Sequence, residues 1–385
     1  MKVKSRRGTN LYMRRQNDIC GIAVVDSPLQ LLNTLNMMET TSYGQIKWDL
    51  LLLEEPAFGK ILFDRITSLG IFRKTYFVES AWSKLRNLQK QRIKWAGIYL
   101  NRNNIYKIWT DLSCDFREYQ YMSFCPAADF FVCNFAHFFN NTIKYIWLED
   151  GMSSYANYGE FLQKGTAKDF ARKMLRHNSG KKNIECQYLY RPEMANYGVP
   201  FTRVKARFLD PDSETARIAD VIFDFKPHDI IKEKYIYFDN AFAKDGINTN
   251  DHEILRTVSE IVGKDNLLVK VHPRNDPSIY EGTGLKVNKK NYIPWEIYYF
   301  HKEMLENKIL IGAVSTALLS PFLYFDSRQK VISLVEMLEL DKMNEKFRKL
   351  VIDIKKIVMK QHPEVFTMPS DYKELKDALE EVVHE

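Results

Sequence analysis

The chain has 385 residues, of which 45% are hydrophobic and 27% are charged. This length exceeds what one hydrophobic core usually supports, so we expect two domains, and the composition excludes an intrinsically disordered protein. The longest apolar runs are broken by Ser, Thr and Pro and are shorter than the ~20 residues that a membrane-spanning helix needs. We therefore predict no transmembrane helix.

The five cysteines are scattered along the chain, and no two of them have Cys-x-x-Cys spacing. Neither a disulfide framework nor a zinc site is predicted, and a reducing, cytoplasmic compartment fits this pattern best.

Residues 1–17 form a basic tail, and the whole chain carries a formal net charge of +7. The tail lacks the apolar core of a secretory signal. Two interpretations stay open: peripheral contact with the anionic inner face of the cell membrane, or a solvated tail. Lys and Arg do not cluster with aromatic residues in a recognisable module, so nucleic-acid binding is not predicted.

The first half of the chain reads as strands separated by helices. Residues 19–25 are an apolar run, Asp26-Ser27-Pro28 has the chemistry of a turn and helix cap, and residues 29–38 have helical spacing. Further strands are predicted at residues 48–53, 75–78, 129–133 and 145–148. Unbroken apolar runs of this length are typical of a parallel sheet that is covered on both faces.

Residues 152–228 show few clean periodicities, and we expect an irregular interdomain segment with loops that face an acceptor. Regular alternation then resumes. Strands are predicted at residues 235–238, 267–271, 309–311 and 331–334, and helices at residues 251–262, 295–305, 316–325, 340–359 and 372–383.

These patterns predict an α/β fold with two doubly wound domains facing each other across a cleft. We place the N-terminal domain at residues 1–228 and the C-terminal domain at residues 229–385, with the last helix able to pack back on the N-terminal domain. Ligands of such sheets collect outside the carboxyl ends of the strands, so polar residues that follow a strand are the candidates for function.

Two adjacent carboxylates, Glu149 and Asp150, follow the predicted strand at residues 145–148, and Gly151 permits a sharp turn there. A carboxylate that faces the cleft could act as a general base toward a hydroxyl group. The alternative is that the acidic pair only begins a loop or caps a helix.

His272, Pro273 and Arg274 follow the strand at residues 267–271. An imidazole can donate a proton to a departing phosphate, and a guanidinium matches phosphate oxygens in a bidentate way. A histidine at a strand end is also common as a purely structural residue.

Ser315 and Thr316 precede a predicted helix, whose free N–H groups and dipole would favour an anion, although ordinary capping explains the same pair. Glu296 begins another helix and could bind ribose hydroxyls. No metal site is predicted, because the one Asp-x-Asp sequence, at residues 210–212, contains Pro211 and is better explained as a turn.

In their order along the chain, these motifs resemble those of bacterial sialyltransferases of the two-domain GT-B type, namely the lipooligosaccharide sialyltransferases and the capsular polysialyltransferases. The acidic-acidic-Gly, His-Pro and Ser/Thr motifs of those families match residues 149–151, 272–273 and 315–316. The segment at residues 25–30, which includes Ser27, also resembles their first strand, turn and helix.

The resemblance implies an inverting transfer from CMP-sialic acid to an oligosaccharide or polysaccharide acceptor, without a cofactor. It implies Glu149 as the base, His272 as the acid, Ser315 and Thr316 as phosphate ligands and Glu296 as the ribose contact. Some lipooligosaccharide enzymes use an aspartate after the first strand of the second domain, which makes Asp239 a second candidate for the base.

Two other functions stay open. The donor could be CMP-Kdo or a UDP-sugar, because a fold does not fix the donor. The chain could also be a non-catalytic glycan-binding protein of capsule assembly, whose motif residues are structural.

Overall fold

A computed structural model of the chain describes residues 19–53, 59–78, 114–125, 140–155, 183–195, 197–226, 231–245, 247–301, 305, 307–339 and 345–384. The basic tail and the strand predicted at residues 129–133 lie outside these residues.

Within the described residues, seven parallel strands form the first sheet, in the order β3-β2-β1-β4-β5-β6-β7. The strands are β1 (Cys20–Val25), β2 (Lys47–Leu53), β3 (Thr75–Val78), β4 (Tyr121–Phe124), β5 (Lys144–Leu148), β6 (Ile184–Leu189) and β7 (Thr202–Lys205). Helices α1 (Pro28–Thr40), α2 (Lys60–Leu69) and α3 (Glu214–Phe223) accompany this sheet.

The second sheet has six described parallel strands, in the order β10-β9-β8-β11-β12-β13. The strands are β8 (Tyr235–Phe238), β9 (Leu267–Lys270), β10 (Lys286–Val287), β11 (Ile309–Gly312), β12 (Lys330–Ser333) and β13 (Phe366–Thr367). The accompanying helices are α4 (Asp251–Val262), α5 (Trp295–Phe300), α6 (Ser320–Tyr324), α7 (Glu345–Gln361) and α8 (Tyr372–His384).

Both sheets have the strand order of a doubly wound Rossmann fold. The first three strands are added on one side of the sheet, and the later strands are added on the other side of the first strand. The predicted fold class, two Rossmann-like domains facing a cleft as in the GT-B arrangement, is confirmed. The central strands β1, β2, β8 and β11 are buried along nearly their whole length, which explains why unbroken apolar runs located them.

The segment predicted to be irregular is more ordered than expected. It contains β6, β7 and α3, so the first sheet extends through it to Lys205. β6 alternates polar and apolar residues, and β7 has a single apolar residue, Val204, so neither strand is a continuous apolar run of the kind that located the other strands. The Asp210-Pro211-Asp212 sequence does form a turn, since the backbone carbonyl of Asp210 accepts from the N–H of Ser213 at 3.1 Å.

The last helix, for which packing against the N-terminal domain is one predicted possibility, has its described buried residues in the C-terminal domain. Leu375 and Leu379 of α8 are buried in a core of the second sheet, together with Ile254 and Leu255 of α4. The amphipathic face of α4 therefore supplies the surface that α8 covers.

The two domains share a continuous apolar core, which runs from strands of the first sheet to α5 and α6 beside the second. Polar contacts also cross the junction: Arg191, after β6, donates from Nε to the carbonyl of Phe322 at 3.0 Å. The N–H of Leu209 donates to the carbonyl of Tyr324 at 2.8 Å. No helix within the described ranges is long and apolar enough to cross a membrane.

Candidate functional site

A cleft of about 680 Å³ lies between the two sheets, at the carboxyl ends of their strands. This volume is typical of small-molecule sites, and the position is the one expected for doubly wound sheets. Nine of the predicted site residues line it: Ser27, Asp150, Asp239, His272, Pro273, Arg274, Glu296, Ser315 and Thr316. Glu149 and Gly151, which were also predicted, are not among the lining residues.

Glu149 is buried on the interior side of the turn after β5. Its Oε2 accepts a hydrogen bond from the hydroxyl of Tyr155 at 2.5 Å and another from the backbone N–H of Tyr190 at 2.8 Å. Burial raises the pKa of Glu149 to about 8, and these hydrogen bonds oppose the rise. The carboxylate predicted to act as base thus faces the protein interior.

Asp150, the next residue, lines the cleft. Its backbone N–H donates to the hydroxyl of Ser154 at 2.6 Å, which fixes the turn. Burial raises the pKa of the Asp150 carboxyl, and a hydrogen bond from the Gln30 side chain counteracts part of that rise. A cleft carboxylate with a raised pKa is suited to accept a proton.

Gly151 adopts a φ of +66°, in the left-handed region that favours glycine. A Cβ at this position would lie 2.7 Å from Oγ1 of Thr316, on the opposite side of the cleft. The next backbone N–H, that of Met152, points to the same Oγ1 at 3.5 Å. Gly151 therefore allows the acidic turn of one domain to touch the Ser-Thr turn of the other.

Asp239 follows β8 and holds the His-Pro turn in place. Its Oδ2 accepts from the backbone N–H of His272 at 3.2 Å and from Nδ2 of Asn275 at 2.7 Å, and its Oδ1 accepts from the N–H of Asn240 at 2.8 Å. Because both oxygens already accept hydrogen bonds, the contacts of Asp239 favour a positioning role over a role as base.

His272 is half-buried at the cleft, and its Nδ1 accepts from the backbone N–H of Arg274 at 3.1 Å. That contact fixes Nδ1 as an acceptor, so the proton of the neutral imidazole is carried by Nε2. The histidine can therefore offer an N–H donor, and Arg274 lies exposed beside it.

The helix predicted at residues 316–325 is two short pieces, a 3-10 turn at Thr316–Leu318 and the five-residue α6. Neither is long enough to supply the helix dipole that the prediction used. Oγ of Ser315 accepts from the N–H of Ala317 at 3.3 Å, and Oγ1 of Thr316 faces the N–H of Met152. Since each hydroxyl serves as an acceptor there, its proton remains to be donated to an anion.

Lys270, at the end of β9, was missed by the sequence analysis. It lines the cleft at 6% exposure, and its Nζ donates to the carbonyl of Asn291 at 3.2 Å. Burial lowers the pKa of Lys270 to about 8, opposed by the charge of Glu296. The signal was present, because Lys270 is the one charged residue in the apolar run at residues 267–271.

Glu296 is buried on the wall of the cleft, near Lys270. Its Oε1 accepts a hydrogen bond from the hydroxyl of Ser320 at 2.5 Å. Burial raises the pKa of Glu296, while Ser320 and the charge of Lys270 lower it. A buried cation and a buried carboxylate thus lie together in one part of the cleft. Across the described part of the chain, no group of three or more His, Cys, Asp and Glu could hold a metal ion.

Neither a protein-family profile nor a curated protein sequence matches the chain. Among solved structures, it is similar to a putative UDP-N-acetylglucosamine 2-epimerase from Listeria monocytogenes, with 9% identity over 96% of this chain and 88% of that one, at a TM-score of 0.49. It is also similar to the glycotransferase of kitacinnamycin, with 12% identity over 95% of this chain and 91% of that one, at a TM-score of 0.49. A third similar structure is Acinetobacter baumannii MurG, with 8% identity over 95% of this chain and 91% of that one, at a TM-score of 0.43. Likenesses this low carry no information about donor or acceptor.

Proposed function

We propose that this chain is an inverting glycosyltransferase that moves sialic acid from CMP-sialic acid to a hydroxyl of a surface glycan, either a capsular polysaccharide or a lipooligosaccharide. One observation carries the proposal. The cleft has a carboxylate with a raised pKa on its N-terminal side and a histidine, an arginine and two hydroxyls on its C-terminal side.

Asp150 is the base in this proposal, in place of Glu149. As the acceptor oxygen attacks the anomeric carbon of the donor sugar, Asp150 takes the proton of that hydroxyl. A positioned base contributes about 10²–10⁴-fold to the rate of such a step. Glu149 supports the turn from the interior, where it has no access to the acceptor.

The leaving group is CMP, and negative charge grows on its phosphate as the bond to the anomeric carbon breaks. Nε2–H of His272 donates to one phosphate oxygen. The hydroxyls of Ser315 and Thr316 and the guanidinium of Arg274 stabilise the negative charge on the other phosphate oxygens. Glu296 contacts the ribose hydroxyls. These groups supply the stabilisation from the chain's own side chains, and no step in the proposal uses a metal ion.

The basic tail at residues 1–17 suits peripheral contact with an anionic leaflet at the cytoplasmic face of the membrane. Sedimentation with anionic and with neutral lipid vesicles tests this part. Equal binding of the full chain to both kinds of vesicle would refute it.

The decisive experiment incubates the protein with CMP-sialic acid and either sialylated or unsialylated oligosaccharides, and detects released CMP and extended product by mass. We expect CMP release that depends on an acceptor. Thermal shifts with CMP, CDP, UDP and GDP then identify the nucleotide. Stabilisation by UDP but not by CMP would indicate that the donor is a UDP-sugar and not CMP-sialic acid. Polysaccharide binding without any transfer would indicate a non-catalytic protein.

A further inference from the structure

Lys355 lies on α7 and is fully buried, at 0% exposure. Its Nζ donates to the backbone carbonyl of Ala313 and, at 2.9 Å, to the hydroxyl of Ser333. Ala313 directly follows β11, and Ser333 ends β12, the neighbouring parallel strand. The ammonium group therefore joins the carboxyl ends of two adjacent strands.

A buried ammonium is costly unless a negative group pairs with it. No carboxylate among the described residues forms an ion pair with Lys355, and burial alone lowers its pKa to about 7. An apolar side chain of similar length often serves a core at least as well as a buried charge. The stability of the core alone therefore does not require a charged side chain at this position.

The positions of the two groups that Lys355 binds suggest why a lysine is present. Ser315 and Thr316 line the cleft and come two and three residues after Ala313. The exit of β11 is otherwise held by the carbonyl of Gly312, which accepts from the N–H of Leu334 at 2.9 Å. Because the following segment is a short 3-10 turn and not a long helix, the path of residues 313–316 depends on such individual contacts.

We propose that Lys355 is a positioning residue for the donor phosphate: by holding the Ala313 carbonyl and the Ser333 hydroxyl, it sets the turn that presents Ser315 and Thr316. This inference rests on the proposed function of the cleft as a nucleotide-sugar site. Lys355 does not line the cleft itself, so it acts through the turn.

The test compares Lys355→Met with Lys356→Met in the full-length protein. Lys356 is the matched control, because it is the next residue of α7 and pairs with Glu336 at 3.0 Å on the surface. Calorimetry measures CMP binding, initial rates give KM for donor and for acceptor together with kcat, and thermal melting reports folding.

For Lys355→Met we expect the Kd of CMP and the KM of the donor to rise about tenfold, the value of roughly one well-placed hydrogen bond. The KM of the acceptor should stay close to that of the wild type, and the melting temperature should fall by only a few degrees, because the Ala313 carbonyl and the Ser333 hydroxyl lose a donor. Lys356→Met should match the wild type throughout. An unchanged Kd for CMP in a folded Lys355→Met variant overturns the inference.

If Lys355→Met does not fold, Ser333→Ala decides, since it removes one of the two anchors and leaves the ammonium bound to Ala313. A weaker affinity for CMP supports the inference, and wild-type affinity overturns it. If the wild type does not bind CMP, both the proposed function and this inference are overturned. If the wild type binds CMP and the variants bind it equally well, only this inference is overturned.

Discussion

The two sides of the cleft are built in a similar way from different parts. After β5, Glu149 holds a turn from inside the protein and the next residue, Asp150, faces the cleft. After β8 and β9, Asp239 holds the backbone of His272, whose ring is half-buried at the cleft. On each side one acidic residue positions a turn and another group is available to the ligand.

The two positioning carboxylates differ in their surroundings. Glu149 is fully enclosed, and burial raises its pKa to about 8, so it is held largely as the neutral acid at pH 7. Asp239 instead accepts three hydrogen bonds from N–H groups at the edge of the cleft. An acidic residue in a recognisable motif can therefore serve to hold a turn and not to accept a proton from a substrate. The substitutions below distinguish these two roles.

The largest effect is expected for Asp150→Asn. The substitution keeps the shape of the side chain and removes the proton acceptor, so turnover should fall by about a hundredfold or more. The affinity for CMP should not change, because the groups proposed to bind the phosphate lie on the other side of the cleft. Acceptor-dependent CMP release and calorimetry measure the two quantities. Near-normal turnover would mean that another group removes the proton.

Asp239→Asn should have a smaller effect on turnover, about tenfold, and a clear effect on stability. An amide NH₂ would face N–H donors in place of an oxygen, which costs about 1–3 kcal/mol in the free energy of unfolding. Unfolding in urea measures the cost. A variant as stable as the wild type with turnover reduced a hundredfold would instead identify Asp239 as the base.

Gly151→Ala should raise the KM of the donor a few-fold. The new Cβ would lie 2.7 Å from Oγ1 of Thr316, so the Thr316 side chain would have to move. Gly70→Ala is the matched control. Gly70 has a similar φ of +63°, and a Cβ there meets no atom within 4 Å. Both variants should lose about 1–2 kcal/mol of stability from the left-handed backbone, but only Gly151→Ala should affect catalysis. Equal KM values in the two variants would show that the contact with Thr316 has no role.

Most of the sheet framework could be predicted because its strands are unbroken apolar runs, as in residues 145–148 and 309–311. The cleft residues followed from the rule that ligands meet the carboxyl ends of parallel strands. The orientation of Glu149 could not be predicted, because it depends on the N–H of Tyr190, which lies 41 residues away after a strand with alternating polarity. Lys355 was equally hidden, since a lysine in an amphipathic helix has the sequence pattern of a surface residue.

The smallest effect on turnover, within a few-fold, is expected for Glu149→Gln, which imitates the protonated acid. The remaining oxygen of the amide can accept from Tyr155 and Tyr190. The amide NH₂ takes the place of Oε1, which has no partner at hydrogen-bond distance among the described residues, although the Tyr324 hydroxyl lies close enough to affect the pKa.

The effect of Glu149→Gln on pH-dependent stability should be larger. A glutamate whose folded pKa is about 8 keeps a proton that the unfolded chain releases near pH 4.5. Its contribution to stability is therefore complete below about pH 4.5 and is lost as the pH rises toward 8. The melting temperature of the wild type should fall across that window, and that of Glu149→Gln should fall less.

Glu185→Gln is the control for this comparison, because Glu185 lies on the adjacent strand β6 and pairs with Lys144 at 2.7 Å. Hydrogen bonds from Lys144 and Tyr43 lower the pKa of Glu185 against the effect of burial. Its contribution is present above about pH 4.5 and is lost as the pH falls through its folded pKa, so the substitution should leave the slope between pH 5 and 8 unchanged. A Glu149→Gln variant with the wild-type slope and turnover reduced a hundredfold would return the role of base to Glu149. It would also show that the carboxylate leaves its interior position when the acceptor binds.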